Sequence, residues 1–513
     1  MPLVTKAGWR HFAWIICVAS VVRAAALLAM HDSLTADPDA YREIARGLAT
    51  HNTFGIVHLD PASGAKTVSP TAFRPPLYPW LLSLITRPDG SVSNVAVGLL
   101  HWFLGVASIG GTYVVCRNLI FPNEQPEPEP HTETTRYTEV QPQTAFPVSA
   151  EPYPPADAHA VSAPHRMHAA SALAAILIAI DPLLLQSSAL VMTETCAVAL
   201  VVLSLWLWLK TVKAIEHGGP HLRHSLLLGL SFGIAFLCRP TFILWPLLSC
   251  FALVLWAVYQ KNSQPFRAAV ATLFIVSLVV AAWTTRNWVQ MGKPIWATSH
   301  GGYTLLLGNN PPFYEHMRTT GASRVPFWRN VWEPDFFFER WEQRQVADPR
   351  TASFWDPAVP VARQDSWQAA SGELAEDRLA YETAVASIQR DKFGFLLACR
   401  WRWERLWGPL PLQTGDRPSI SLWAIGIFYS VVLVLVFIGI WRLGRSLLTP
   451  RWAAAAALWV SIASVHTIYW TDMRMRAPAV PVLSILAAAS IGSRRATISK
   501  NRVIRSTNPA DSS

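Results

Sequence analysis

The sequence predicts an all-α polytopic membrane protein with about ten transmembrane helices and a mainly α or mixed extracytoplasmic loop domain. Of its 513 residues, 51% are hydrophobic and 15% are charged, whereas about a quarter of the residues in a soluble chain are charged. Long uncharged runs account for the difference, because about 20 apolar residues cross a hydrocarbon core. Lipid offers no hydrogen-bond partners to an open strand, so these runs must be helices.

Apolar runs follow one another along the whole chain. They lie near residues 11–30, 92–117, 169–189, 191–211, 223–238, 240–259, 267–285, 419–441, 452–470 and 475–493. The first run could instead be a cleaved signal peptide, but Arg23 interrupts its apolar centre and no clear small-residue cleavage site follows. We therefore interpret the first run as a membrane anchor.

The basic residues predict how the chain is oriented. Lys and Arg are enriched in the cytoplasmic connections of membrane proteins, and here most of them fall in alternate connections between the runs. They include Lys6, Arg10, Lys210, Lys213, Arg223, Lys261, Arg267, Arg442, Arg445 and Arg451. Both termini are therefore predicted inside. The net charge of +10 follows this membrane pattern, so we expect no nucleic-acid partner.

The remaining segments complete the predicted domain organisation. Residues 121–166 are rich in Pro and poor in apolar residues, which is typical of a disordered loop, here on the inside. The other parts are residues 1–120 with an outside loop at 31–91, transmembrane helices at 167–285, an extracytoplasmic domain at 286–418, transmembrane helices at 419–495 and a basic inside tail at 496–513. The Arg- and Trp-rich segment 400–407 is typical of an interfacial helix.

The first outside loop contains the most informative segment. Asp37, Tyr41, Ile44 and Leu48 have the spacing of one helix face. Asp37 followed by Pro38 is typical of a helix start, with the acid as N-cap. The alternative makes Asp37 a general base near the membrane surface. The two roles are compatible, and the loop is therefore a candidate catalytic segment.

Two charged residues lie where the chain re-enters the membrane. Arg74 precedes two prolines, and its guanidinium can recognise phosphate through paired N–H donors. The alternative is an interfacial arginine that snorkels to the headgroups. Glu194 begins a span near the outside face, where an acid is by default a candidate functional residue. The alternative there is a surface glutamate favoured by the helix dipole.

Further arginines on the outside depart from the positive-inside pattern. They are Arg239, Arg286, Arg474 and Arg476. Outside arginines beside apolar helices suit an anionic lipid headgroup, whose phosphate requires charge-assisted hydrogen bonds. Neighbouring acids offer the alternative of structural ion pairs.

The sequence indicates no metal site and requires no cofactor. Five of the six cysteines fall inside apolar runs, and the histidines of the second outside segment lack metal-ligand spacing. A P-loop and a dinucleotide fingerprint are both missing. Residues 301–311, with two glycines at the start and Asn-Asn-Pro at the end, permit a close backbone approach to a ligand and predict a turn.

The order of these motifs resembles the GT-C superfamily of polytopic membrane glycosyltransferases, over nearly the whole chain except residues 121–166. The likeness is to bacterial relatives of protein mannosyltransferases and lipid A aminoarabinose transferases. The motifs are an acid-bearing helix after the first span, Arg-Pro-Pro-Leu-Tyr-Pro, an acid that opens a span, Arg-Pro, Arg-Asn, Gly-Asn-Asn-Pro and a final Arg-x-Arg-x-Pro.

The resemblance implies roles for individual residues. Asp37 corresponds to the acid that accepts the proton of the attacking hydroxyl, and Asp39 is a second acid, so which of them is the base stays open. Arg74 corresponds to the basic residue that contacts the lipid phosphate. Glu194 corresponds to the family's second acid, and Arg474 to the basic residue of its last motif.

The resemblance also implies an activity. An inverting glycosyltransferase of this kind moves a hexose or pentose from a polyprenyl-phosphate donor to an acceptor hydroxyl at the outer face of a bacterial inner membrane. Membrane lipid and the lipid-linked donor are the implied partners, and the acceptor is a protein, a glycolipid or a polysaccharide. Relatives in the aminoarabinose branch carry a glutamate where this chain has Ala72. The absence of that glutamate weakens the case for a metal site here, although a divalent metal stays an alternative.

Two other functions compete with this interpretation. A transporter or flippase of lipid-linked sugars would show repeated halves and broken helices at the midplane. Here the unusual charges gather at one face instead. A membrane scaffold that uses residues 286–418 for protein contact would leave those arginines and acids unexplained.

Overall fold

The computed structural model describes residues 6–59, 66–122, 162–318, 372–411 and 419–492, and most of these residues are helical. The helices are α1 (Lys6–Ala29), α2 (Tyr41–His51), α3 (Leu77–Ser83), α4 (Asn94–Ile120), α5 (Ser162–Ile180), α6 (Pro182–Ser188), α7 (Glu194–Glu216), α8 (Leu222–Cys238), α9 (Leu244–Gln260), α10 (Ser263–Met291), α11 (Gly301–Gly308), α12 (Pro311–His316), α13 (Glu373–Arg390), α14 (Lys392–Trp407), α15 (Ser419–Leu443), α16 (Pro450–Ile468) and α17 (Val480–Gly492). Short 3₁₀ helices occupy His31–Thr35, Pro240–Ile243, Gly444–Leu448 and Met473–Ala479.

Strands contribute little to the described part of the chain. β1 (Gly55–Leu59) and β2 (Lys66–Pro70) pair antiparallel, with Gly55 opposite Pro70. This hairpin lies in the first predicted outside loop and packs against α2.

Helices that can span a membrane dominate the fold. Seven helices in the described residues are long and apolar enough to cross a bilayer, and the bent pair α5–α6 makes an eighth. α8 is a shorter apolar helix, and the run near residues 452–470 forms α16. Every apolar run of the sequence thus coincides with a helix, which confirms the predicted all-α polytopic class. The predicted disordered stretch at 121–166 and the tail at 496–513 lie almost wholly outside the described residues.

Arg23 explains how a charged side chain is accommodated in the first span. α5 and α6 meet at a bend of 51°, where Pro182 has no N–H to donate to the carbonyl of Ile178. Arg23 donates to that carbonyl and to the carbonyl of Leu184, each at 2.9 Å. The arginine in α1 therefore stabilises a break in another span, because an unsatisfied carbonyl in lipid is costly.

Close helix contacts hold the bundle together. α4 packs against α5 and α7, α8 against α10, and α15 against α17. A Cβ at Gly439 in α15 would collide with the carbonyl of Leu486 in α17, so glycine is needed there. Between α7 and α8, the hydroxyls of Ser204 and Ser231 form a buried hydrogen bond of 2.7 Å.

The second outside segment contributes a helical layer formed by α11–α14. Its apolar core includes Leu306, Phe313 and Trp401. Gly302 approaches α13 so closely that a Cβ would collide with the carbonyl of Asp377, so the predicted close approach is to a helix. Asn310 accepts from the amide of Phe313 and caps α12, as the predicted turn requires.

The Arg- and Trp-rich segment in α14 differs from the predicted interfacial helix. Trp401, Arg402 and Arg405 are buried, while Trp403 of the same helix is exposed. Arg402 donates to the carbonyls of Gly308 at 2.5 Å and Thr467 at 2.7 Å. Its guanidinium faces inward because those two helix-end carbonyls, one buried and one half-buried, need donors.

Candidate functional site

Asp37 caps α2, but not in the predicted geometry. Its carboxylate accepts from the amides of Tyr41 at 3.0 Å and Arg42 at 2.7 Å. The helix begins at Tyr41, so Pro38 is not its first residue. The carboxylate reaches amides four and five residues ahead, and Ala40 adopts a left-handed φ of 56° to close the intervening turn.

The environment of Asp37 suits a proton acceptor. Burial raises the pKa of Asp37, and the charge of Asp39 raises it further, while the two amides and Arg42 lower it. The net direction is upward from the ordinary value of 3.8. The sequence-based alternatives, cap and base, therefore stay compatible in the structure.

Asp39 and Arg74 form an ion pair next to this cap. Arg74 Nη2 lies 2.7 Å from Asp39 Oδ1, and its Nε donates to the Asp39 carbonyl at 3.0 Å. The guanidinium also lies 4.3 Å from the ring centroid of Phe73. Both charged side chains are mostly buried, with 13% of Arg74 and 21% of Asp39 exposed. Arg74 is thus held over the loop that carries both predicted acids.

Glu194 lies between two arginines at the end of the transmembrane helices. Its Oε1 is 3.4 Å from Arg474 Nε and 3.7 Å from Arg239 Nη1. Only 3% of its side chain is exposed, and its Oε2 has no hydrogen-bond partner among the described residues. The start of α7, the end of α8 and the 3₁₀ helix Met473–Ala479 meet around Glu194.

The two arginines beside Glu194 have weak partners. Arg239 Nη2 donates to Met475 Sδ at 2.9 Å, and Arg474 Nη1 donates to Met192 Sδ. A thioether sulfur is a weak acceptor for a charged donor. These guanidinium groups therefore retain much of their capacity to bind an anion.

Tyr41 shows that these charges belong to one group. Burial raises the pKa of the Tyr41 hydroxyl; the charges of Asp39 and Glu194 raise it further, and those of Arg74 and Arg239 lower it. The Arg74 guanidinium lies 5.9 Å from the Tyr41 ring centroid, so Tyr41 lies beside the Asp39–Arg74 pair and within electrostatic range of Glu194 and Arg239. We call this group the charged cluster; it consists of Asp39, Arg74, Glu194, Arg239 and Arg474. Its three arginines and two acids leave one formal positive charge.

A buried hydrogen-bond chain supports Tyr41. Its ring packs edge-on against Tyr78, with 5.1 Å between centroids. The Tyr78 hydroxyl lies 2.8 Å from His101 Nε2, and His101 Nδ1 lies 2.8 Å from the Ser188 carbonyl. A carbonyl can only accept, so Nδ1 carries the proton and Tyr78 donates to Nε2. The sequence interpretation missed His101, although a histidine inside an apolar run was a usable signal.

Arg286 was a predicted phosphate-binding residue, and the structure gives it other partners. It donates to the carbonyls of Thr71 at 2.7 Å and Phe54 at 2.5 Å. Its guanidinium also lies over the rings of Phe54 and Trp283. Arg286 thus ties α10 to the first outside loop and forms no hydrogen bond within the charged cluster among the described residues.

Arg476 faces a different part of the bundle from Arg474. It donates to the carbonyls of Gly408 at 2.7 Å and Leu406 at 3.2 Å. Its guanidinium lies 4.2 Å from the Tyr429 ring centroid and borders a small cavity that Asp181 and Tyr429 also line. Arg474 and Arg476, the two arginines of the final motif, therefore lie in different environments.

The donors available for a metal are few. Among the described residues, no group of three or more His, Cys, Asp or Glu side chains is placed to hold a metal ion. In the charged cluster, the positive charges come from arginine guanidinium groups. Ala72 is buried, and the carboxylate next to it comes from Glu373, whose Oε1 accepts from the Ala72 amide at 2.9 Å. The sequence interpretation missed Glu373.

A comparison with protein families matches the central part of the chain. Residues 165–283 match the model of the dolichyl-phosphate-mannose-protein mannosyltransferase family. This segment runs from α5 into α10 and contains Glu194 and Arg239. The match confirms the resemblance to GT-C membrane glycosyltransferases that the motif order predicts. A search of curated proteins finds no match.

Solved structures that match this chain at low identity include two proteins. One is the archaeal oligosaccharyltransferase AglB from Archaeoglobus fulgidus in complex with an inhibitory peptide and a dolichol-phosphate, at 14% identity and a TM-score of 0.48, covering 95% of this chain and 50% of that chain. Another is ArnT from Cupriavidus metallidurans bound to undecaprenyl phosphate, at 13% identity and a TM-score of 0.35, covering 95% and 78%. The chain spans about half the length of the archaeal protein.

Proposed function

We propose that this chain, which resembles GT-C membrane glycosyltransferases, is an inverting enzyme that moves a sugar from a polyprenyl-phosphate donor to an acceptor hydroxyl. The charged cluster is the observation that carries the proposal. Arginines from three separate parts of the chain converge on two acids beside Asp37, at one end of apolar helices. An activated lipid phosphate needs charge stabilisation at the membrane surface, and this arrangement suits that need.

The arginines would bind the donor phosphate. Arg239 and Arg474 donate to methionine sulfur atoms in the structure, and phosphate oxygens are far stronger acceptors. Glu194 would hold both guanidinium groups in orientation from behind, since its Oε1 lies within ion-pair distance of each. Arg74 would approach from the first outside loop. The bound phosphate then leaves as a stabilised anion when its bond to the sugar breaks.

Asp37 would act as the base. The acceptor hydroxyl oxygen attacks the anomeric carbon on the face opposite the phosphate, and the bond between that carbon and the phosphate oxygen breaks. The hydroxyl proton passes to the Asp37 carboxylate, and the sugar configuration inverts. Asp37 is favoured over Asp39 because burial raises the pKa of Asp37 and its hydrogen-bond partners are neutral amides, whereas the Asp39 carboxylate is paired with the Arg74 guanidinium at 2.7 Å.

The orientation follows from the two ends of α7. Glu194 begins this helix within the charged cluster, while Glu216 at its other end pairs with Arg451, with 3.0 Å between Oε1 and Nε. The Arg451 end carries the basic connections and would face the inside. The cluster would then face the outside of a bacterial inner membrane. Residues 31–91 and 286–418 would be the extracytoplasmic parts, and 121–166 and 496–513 the inside parts.

Substitution of the two predicted acids tests the proposal. We expect Asp37→Asn to lower sugar transfer by about 10²-fold or more, because the proton acceptor is lost. Transfer is measured as undecaprenyl phosphate released from a panel of undecaprenyl-phosphate hexoses and pentoses, in membranes that supply acceptors. Asn can still accept one amide bond of the cap, so the protein should remain folded, as judged by size-exclusion chromatography in detergent.

Asp39→Asn is the matched control. Full transfer by Asp37→Asn together with loss in Asp39→Asn would assign the base to Asp39. Undiminished transfer by both variants, or no release from any donor by the wild type, would refute the enzyme proposal. Lipid-linked sugar that crosses the membrane without being cleaved would favour a flippase instead.

A further inference from the structure

We infer that Glu373 is a positioning residue for Arg74 and couples the second outside segment to the donor site; this inference rests on the proposed function. Glu373 is the first residue of α13, and its carboxylate reaches back about 300 positions to the first outside loop. It accepts from the Thr71 hydroxyl at 2.5 Å, from the Ala72 amide at 2.9 Å and from the Ser299 hydroxyl.

The dipeptide that Glu373 contacts is held on its other sides as well. The Ser299 amide donates to the Ala72 carbonyl at 3.0 Å, and Arg286 donates to the Thr71 carbonyl at 2.7 Å. Thr71 and Ala72 are almost completely buried. Three polar backbone groups of this dipeptide thus bind residues of α10, α13 and the segment between α10 and α11.

Arg74 follows this dipeptide by two positions and precedes two prolines. Proline fixes its own φ and restricts the residue before it, so the chain after Arg74 has little freedom. The dipeptide fixes the chain ahead of Arg74. The direction of the guanidinium towards Asp39 is therefore set from both sides, and the Glu373 carboxylate is the one group that accepts from Thr71, Ala72 and Ser299 together.

The charge of Glu373 favours a specific role over simple packing. Glu373 is half-buried, and a carboxylate that is partly withdrawn from water is costly unless it is hydrogen-bonded and paired. Its three donors and the nearby charge of Arg286 satisfy it here. Its contacts lie on the loop and not within the charged cluster, so Glu373 acts on the donor phosphate through Arg74.

Hydrogen–deuterium exchange tests the clamp without any substrate. We expect Glu373→Gln to speed amide exchange in residues 66–76 by about tenfold or more, because the hydrogen bonds that protect the Thr71–Ala72 backbone weaken. Glu382→Gln is the control: it lies on the same helix, is solvent-exposed and pairs with Arg378 at 3.0 Å. Unchanged exchange in Glu373→Gln would overturn the inference and leave the proposed function standing.

Donor affinity tests the coupling to Arg74. We expect Glu373→Gln to weaken binding of undecaprenyl phosphate by about tenfold, the size of one charge-assisted hydrogen bond. In the reaction, KM for the donor should rise while kcat changes less than about twofold. Glu373→Asp should restore part of the affinity, and Thr71→Val is a milder variant should Glu373→Gln fold poorly.

A double substitution separates positioning from general structure. If Glu373 acts through Arg74, the variant with both Arg74→Ala and Glu373→Gln should bind undecaprenyl phosphate as weakly as Arg74→Ala alone. Additive losses would overturn the inference. A wild-type protein that binds no undecaprenyl phosphate would refute the proposed function and, with it, the role of Glu373 at a donor site.

Discussion

Two arginines of this protein differ in how their guanidinium groups are satisfied. Arg402 in α14 donates to the carbonyls of Gly308 and Thr467 at 2.5 and 2.7 Å. Arg474 in the charged cluster lies 3.4 Å from Glu194, and its Nε has no hydrogen-bond partner among the described residues. Arg402 is fully buried and has strong acceptors, whereas 29% of the Arg474 side chain is exposed and its guanidinium has weaker partners.

This difference distinguishes a structural arginine from a binding arginine. A guanidinium whose donors meet carbonyl oxygens contributes to stability, and its removal leaves those carbonyls unpaired. A guanidinium that meets a thioether and shares one carboxylate with a second arginine has donors left over, so it gains on binding an anion. Loss of Arg402 should therefore affect folding, and loss of Arg474 should affect function.

The largest expected effect is on transfer by Arg474→Ala. We expect sugar transfer to fall by about 10²–10³-fold, because one donor to the leaving phosphate is lost. The melting temperature in detergent should change little, since few strong hydrogen bonds of Arg474 are lost. Arg474→Lys, which keeps the charge, is the control and should retain part of the activity. A fall in stability as large as that of an Arg402 variant would contradict the comparison.

Arg402→Met should chiefly lower the stability of the protein, in contrast to Arg474→Ala. We expect the free energy of unfolding to fall by about 3 kcal/mol, because the buried Gly308 carbonyl and the half-buried Thr467 carbonyl lose their donor while the packing volume is kept. Thermal unfolding in detergent measures this loss, with Arg400→Met as the control because Arg400 is exposed and pairs only with Glu404 among the described residues. Normal stability with lost donor binding would instead place Arg402 in the binding site.

The pH dependence of sugar transfer is the smallest expected effect and the most specific test of Asp37. Because burial raises the pKa of Asp37 above 3.8, the transfer rate should fall on the acid side with a midpoint above 3.8. The folded state binds the Asp37 proton more tightly than the unfolded chain does. Asp37 therefore favours folding at low pH, and this contribution is lost as the pH rises through its folded pKa.

Asp37→Glu should move that acid midpoint, whereas Asp39→Asn should lower it, because a neighbouring negative charge is removed. The measurement is the pH profile of kcat with undecaprenyl-phosphate donors. A profile that is the same in the wild type and both variants would show that Asp37 is not the titrating base.

The sequence predicts the fold well, because the length and polarity of each run decide whether it can cross a bilayer. It also proposes Asp37, Asp39, Arg74, Glu194 and Arg474 as candidate site residues one by one, since each charge is unusual in its segment. Their convergence is invisible in the sequence, because it depends on how helix ends meet in space.

The sequence does not separate arginines that look alike. Arg474 and Arg476 are two positions apart in one motif, yet a 3₁₀ helix directs them to different surroundings. Arg286 looks as available as Arg239, but the carbonyls that it binds come from a distant loop. Glu373 was missed for the same reason: its partners lie about 300 residues away, and its own segment shows no unusual pattern.

The pairing of Arg23 with the Ile178 carbonyl has a consequence for biogenesis. The two residues are 155 positions apart, so α1 is synthesised well before its partner. An arginine at the centre of a span costs about 2.5–3.5 kcal/mol on insertion. Arg23 therefore makes the insertion of α1 costlier than its apolar residues alone would, and its guanidinium finds its two carbonyl acceptors only when α5 and α6 have been made.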